Sequence, residues 1–189
     1  MANTTTTRAN QHQRTHRRNQ ILVGLAAVAV LGASGAAIAL VASSGTPATG
    51  GYVRTGETNA MGMPVIETPG TSAGTATAAA ITASPASWAL GEVPLNMAVR
   101  PTWTIANTGS DVVTIGEPHA QINRGCCPGA FTFAGPTTLQ PGGQTSFNFE
   151  LSMHPGMDGP HDITVHVPLA HADGTTDALQ LAIMGNFHD

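Results

Sequence analysis

Two short stretches hold the residues whose types could do chemistry. Gly125-Cys126-Cys127-Pro128 contains both cysteines of the chain, and Met153-His154-Pro155-Gly156-Met157-Asp158-Gly159-Pro160-His161 sets thioethers and imidazoles among turn residues. Thiolate, thioether and imidazole are soft to borderline donors, the set that suits Cu(I) and, less well, Zn(II). The expected metal ligands are therefore Cys126, Cys127, Met153, His154, Met157 and His161, with Cu(I) as the expected ion. Copper delivery or homeostasis is the function such a site would serve.

The cysteine pair admits other chemistry. Adjacent cysteines on a regular strand would point to opposite faces and could not share an ion, but Gly125 and Pro128 on either side argue for a loop. In an oxidising compartment thiols tend to pair, and a ring closed between neighbouring residues is strained and easily reduced. Thiolates on a metal, a vicinal disulfide stapling a non-catalytic interaction module of the cell envelope, and a thiol redox partner all stay open at this point. In the second stretch the two methionines could instead fold back over the end of the domain, with histidines capping the turn.

Such donors need a frame, and composition limits what frame is possible. Only 10% of the residues are charged and 4% aromatic, while Gly, Ala, Thr and Pro abound, so only part of the chain can build a dense core. Four of the seven arginines (Arg8, Arg14, Arg17, Arg18) precede residue 20, and all eleven carboxylates follow residue 50. Beyond the first apolar run three arginines face eleven acids, a surface that repels nucleic acid and gathers cations.

Residues 1–20 are polar, without apolar periodicity, and are expected to be a disordered basic cytoplasmic tail. Residues 21–42 run uncharged from Ile21 to Ala42, long enough to cross a bilayer as a transmembrane helix. The basic flank places the N-terminus in the cytoplasm and the rest outside, giving a single-pass plasma-membrane protein. The alternative is a signal cleaved after Ala37-Ile38-Ala39 and a secreted product. Residues 43–80, rich in Gly, Ala, Thr and Pro, are expected to be a flexible linker.

From there to Asp189 short alternating runs separated by turn residues replace the tether. Trp103 and Ile105 precede the turn at Asn107-Thr108-Gly109-Ser110, and Val112-Val113-Thr114-Ile115 comes after it. Phe131 and Phe133 alternate with polar neighbours, then Pro141-Gly142-Gly143 turns the chain before Phe147, Phe149 and Leu151. Ile163, Val165 and Val167 leave Thr164 and His166 on the opposite face, and Leu179, Leu181 and Ile183 close the domain. This predicts an all-β domain over 81–189, an antiparallel β-sandwich of about seven strands with no helix besides the anchor. Counting strands, the cysteine loop and the Met-His turn are separated by two strands and one turn, a parity that allows both at one end of the sandwich. His119, His166 and His171 read as surface residues.

The order of these motifs from Ala98 to Phe187, about half of the chain, resembles the bacterial immunoglobulin-like domains of unknown function related to the HYDIN and ASH modules. The resemblance implies a seven-stranded immunoglobulin-like sandwich, commonly exported, without an assigned enzymatic activity. The adjacent cysteines and the Met-His run depart from that pattern, so the chemistry is expected at those departures.

Enzyme classes find no support in the sequence. No serine sits in a Gly-x-Ser-x-Gly elbow, no CxxC is present, and the glycines lie in turns of a β protein rather than opening a helix around a phosphate. The expected partners are the membrane, through the N-terminal helix, and a copper-accepting or envelope protein, with no nucleic acid. The protein is read as a non-enzyme.

Overall fold

The computed structural model describes residues 51–126 and 129–189. The tail over 1–20, the apolar run over 21–42, the start of the linker and Cys127 lie outside the described residues. The described residues are all-β, with no helix among them. In chain order the strands are β1 (Arg54–Thr58), β2 (Pro64–Ile66), β3 (Thr71–Ala73), β4 (Ala76–Ala78), β5 (Ile81–Ser84), β6 (Ser87–Pro94), β7 (Ala98–Val99) and β8 (Thr102–Asn107). They continue as β9 (Val113–Ile115), β10 (His119–Arg124), β11 (Phe131–Phe133), β12 (Thr138–Leu139), β13 (Gln144–Phe149), β14 (Leu151–Ser152), β15 (Gly159–His171) and β16 (Thr176–His188).

Three sheets result. A seven-stranded sheet runs β12-β9-β15-β16-β6-β3, with β10 also paired to β15; a five-stranded sheet runs β11-β13-β8-β5-β4; a four-stranded one runs β1-β2-β7-β14. The hairpin of β15 and β16 is the spine, each strand 13 residues long and paired from Gly159↔Phe187 to Ala170↔Thr176. Strict alternation buries Ile163, Val165, Val167 and Leu169 on one strand and Leu179, Leu181 and Ile183 on the other. These join Trp103, Ile105, Phe147 and Phe149 of the five-stranded sheet, and Ile66, Val99 and Leu151 of the third, in one continuous core. Trp103 stacks on Phe147 at 5.1 Å between ring centroids, the offset arrangement that aromatic quadrupoles favour. The expected β-sandwich is present, with twelve strands among the described residues of 81–189 in place of about seven because bulges and short breaks divide the runs.

Two expectations need correction. The pairing is not wholly antiparallel, because β6 lies parallel to β16 and β2 parallel to β7. The linker expected over 43–80 carries, in its described part, the four strands β1 to β4. Large side chains are few there, so the backbone does the binding: β3 pairs with β6 and β4 with β5. Val65, Ile66 and Ala78 are buried, and the side chain of Asn59 accepts the N–H groups of Met61 and Met63 at 3.0 and 2.9 Å. A few buried residues and short stretches of strand pairing suffice where composition alone suggested a tether.

The two turns that punctuate the sequence are one structural unit. Asn107, 1% exposed, donates from Nδ2 to the carbonyls of Asp111 at 2.7 Å and Leu139 at 3.1 Å, while its Oδ1 accepts from Gly109 N–H at 3.0 Å. Its backbone pairs with Gly142 and Gly143 of the Pro-Gly-Gly turn. Replacing it strands two carbonyls and an amide. Asn107→Leu is expected to lower the unfolding free energy by about 2–4 kcal/mol, whereas Thr108→Ala, which removes one exposed hydroxyl bond to Ala80 O, is expected to cost under about 1 kcal/mol. Urea unfolding of the two variants checks the contrast, and equal losses would refute it.

Candidate metal centre

The cysteine loop is pinned at both ends by glycines. β10 pairs with β15 in register to Ile122↔Ile163, and then Arg124 pairs with Asp162, so Asn123 is an extra residue that bulges the edge strand. A bulge bends its strand and re-aims the residues beyond it. Here it brings Gly125 onto the ring of His161. A Cβ at Gly125 would stand 2.3 Å from His161 Cδ2, and its φ of +90° is a conformation that glycine alone adopts without cost. On the far side of the loop a Cβ at Gly129 would stand 1.3 Å from the Glu150 carbonyl oxygen, and Glu150 N–H donates to Ala130 O at 2.9 Å. Cys126, half-buried, is thus held next to the residue that covers His161. Cys127, its expected partner in binding, lies outside the described residues.

The Met-His stretch divides its side chains between core, surface and site. Met153 is fully buried and belongs to the core cluster, so the expectation that its sulfur is presented at the turn is corrected. Its position directly after the β14 strand keeps the inward parity of Phe149 and Leu151, and that parity carries it into the core. The next four residues form a turn closed by Met157 N–H donating to His154 O at 3.0 Å, with Pro155 second and Gly156 third at φ +94°, a type II geometry. His154 points out and is exposed; Met157 is half-buried against the core.

His161 is the member whose surroundings are unusual. It occupies an inward position of β15 and is only 5% exposed. Its Nδ1 lies 3.0 Å from the Gly159 carbonyl oxygen, which can only accept, so in the neutral ring Nδ1 carries the hydrogen and Nε2 the bare lone pair. That Nε2 is buried and has no hydrogen-bond partner among the described residues. Phe187 stands edge-on to the ring at 5.0 Å and fixes its plane. A carbonyl on one nitrogen and an open lone pair on the other is the arrangement that ligating histidines use.

Of the six expected ligands the structure therefore joins the Cys126 loop to His161, keeps Met157 near the surface of the core, leaves His154 outside and takes Met153 away. Among the described residues no group of three or more His, Cys, Asp or Glu gathers around one point. The sequence reading missed the groove that opens beside His161, lined by Arg124, Asp162, Met184 and Asn186 among others. Met184 is 48% exposed, and the signal for it was available: it falls on the outward parity of the closing strand, between inward Ile183 and Gly185.

No family model matches the sequence, and no curated protein matches it. Solved structures that share part of its chain path include the VesB protease of Vibrio cholerae, at 14% identity over 57% of this chain and 32% of that one, TM-score 0.44. The ASH/PapD-like domain of human CEP192 is 10% identical over 58% of this chain and 86% of that one, TM-score 0.44. WR4, a member of the MSP family of C. elegans, is 11% identical over 59% of this chain and 100% of that one, TM-score 0.36. The chain thus spans about a third of the VesB protease it resembles in part.

Proposed function

We propose that this chain is a membrane-tethered, extracytoplasmic, immunoglobulin-like β-sandwich that holds Cu(I) between the thiolates of Cys126 and Cys127 and Nε2 of His161, for copper delivery or homeostasis. The observation that carries the reading is the buried Nε2 of His161, without a hydrogen-bond partner among the described residues, beneath Gly125 of the cysteine loop. An acceptor left without a donor in a protein interior costs about 1–3 kcal/mol, and a bound cation offsets that cost. Two thiolates and one imidazole are a soft, low-coordinate set that suits Cu(I); structural Zn(II) takes four ligands. Met184, exposed on the groove that His161 also lines, adds a thioether nearby, and half-buried Met157 lies four residues before His161. The uncharged run over 21–42 behind its arginines supports the tether, and the acidic balance of everything after it favours cation capture over anionic partners.

Cu(I) competition between a chromophoric chelator and the detergent-solubilised full chain, kept reduced, tests the site. Both Cys126→Ser/Cys127→Ser and His161→Gln are expected to weaken binding at least about tenfold, about 1.4 kcal/mol. A His161→Gln chain that holds Cu(I) as tightly as the unaltered one removes the imidazole from the centre.

Gly125→Ala probes the placement without touching a donor. The added methyl overlaps His161 Cδ2 and strains the backbone, so the loop must lift from the ring. A stability loss of about 1–3 kcal/mol together with weaker Cu(I) binding is expected by thermal unfolding and the same competition. Undiminished affinity would show that loop and ring act separately.

A further inference from the structure

On the outer face of the same strand lies a second set of imidazoles. His119 of β10 and His166 of β15 are direct cross-strand partners, and their rings stack at 5.0 Å between centroids with 11° between planes. Directly opposed residues on an antiparallel pair have Cβ atoms about 4.5–5.5 Å apart, so turning the two stacked rings about χ2 can aim one nitrogen of each at a shared ion. Gln180 of β16 is the partner of His166 on its other side, so three nitrogen- and oxygen-bearing side chains stand in one row across β10, β15 and β16.

A chain of hydrogen bonds sets the tautomer of His166. Asp162 Oδ1 can only accept, and it takes a hydrogen from Asn123 Nδ2 at 3.2 Å; the same amide donates to Thr164 Oγ1 at 2.9 Å. Asn123 Oδ1 is then the acceptor for Gln121 Nε2 at 3.1 Å. Gln121 Oε1 is in turn the acceptor 3.1 Å from His166 Nε2, which must carry the hydrogen. Nδ1 of His166 is therefore the lone-pair nitrogen in the neutral ring, and its opposite nitrogen is held by an amide backed by a carboxylate. Outer partners of this kind orient a ligating histidine and fix its tautomer.

We propose that His119 and His166 form a binding site for a borderline divalent cation, with Cu(II) the tightest of the series, oriented by the Gln121–Asn123–Asp162 relay. Imidazole suits Cu(II), Ni(II) and Zn(II), and affinity for a given nitrogen site peaks at Cu(II). Water completes the shell, since His119 is exposed and His166 half-buried. The site is independent of the Cu(I) centre: it uses neither cysteine nor His161 and lies on the opposite face of β15.

The test uses the full chain carrying Cys126→Ser/Cys127→Ser, so that thiolates neither take nor reduce the ion. Cu(II) is added in substoichiometric steps and its paramagnetic broadening of amide resonances is followed. Broadening is expected to centre on His119, Gln121, Thr164 and His166. His119→Gln and His166→Gln, each alone, are expected to weaken that localised effect at least about tenfold, and Gln121→Leu by a smaller factor, as loss of an outer partner does. His154→Gln, on the exposed turn, is expected to leave it unchanged. Broadening centred elsewhere, or persisting within about twofold in either single-histidine variant, overturns the proposal. Either result leaves the Cu(I) measurement on the unaltered cysteines untouched.

Discussion

The period of one strand governs which of its side chains reach the core and which reach water. Side chains of β15 alternate between the core and the outer face, and the two histidines that matter, His161 and His166, are separated by an odd number of positions. His161 must therefore face inward when His166 faces outward. The inward face is walled by Phe187 and covered by Gly125, the setting of the proposed Cu(I) centre. The outer face is open to water and bordered by amides and a carboxylate, the setting of the proposed divalent-cation site. A one-residue slip of β15 against β16 would exchange the two environments along with the whole buried row from Ile163 to Leu169. The hydrophobic alternation that builds the core thus also fixes which imidazole is buried.

Holding a loop against a buried ring demands more than register. β15 has two neighbours on one edge, β9 against Leu169–His171 and β10 against the residues from Asp162 to His166. Where β10 runs out, the Asn123 bulge changes its direction, and Asn123 is at once the residue that bulges and the middle of the hydrogen-bond relay to His166. One irregular residue thereby serves both faces. Beyond it Gly125 and Gly129 let backbone approach His161 and Glu150 closer than any side chain would permit.

The strands with strong alternation were legible in the sequence: Trp103-Ile105, Phe147-Phe149, Ile163-Val167 and Leu179-Ile183 all bury the predicted parity. β10 was not, because His119-Ala120-Gln121-Ile122-Asn123-Arg124 has one large aliphatic residue and pairs by backbone and polar side chains on a face open to water. β1 to β4 escaped for a similar reason, as small residues pair well while contributing few apolar side chains to count. At the site, residue type pointed to the right neighbourhood but not to its members. Met153 looked like a turn ligand because a His-Pro-Gly turn comes directly after it; its parity with Phe149 and Leu151 decided otherwise. His161 looked like one imidazole among several, and only burial together with the Gly159 carbonyl separates it from His154.

The energetics of His161 bear on why an imidazole sits there at all. The position is almost wholly buried, with an aromatic neighbour edge-on and a glycine pressed against the ring. A hydrocarbon side chain of similar volume would keep those contacts and remove the cost of one orphaned acceptor, against the loss of the single Nδ1–H hydrogen bond to the Gly159 carbonyl, so the imidazole gains nothing on stability alone. The Gly159 carbonyl does not remove that cost, since it engages only Nδ1. Nor does the groove alongside, because Nε2 itself is shielded from solvent. What the imidazole has that a hydrocarbon lacks is a directed lone pair in a dry pocket, and a lone pair in that setting stabilises the fold only when something electron-poor meets it.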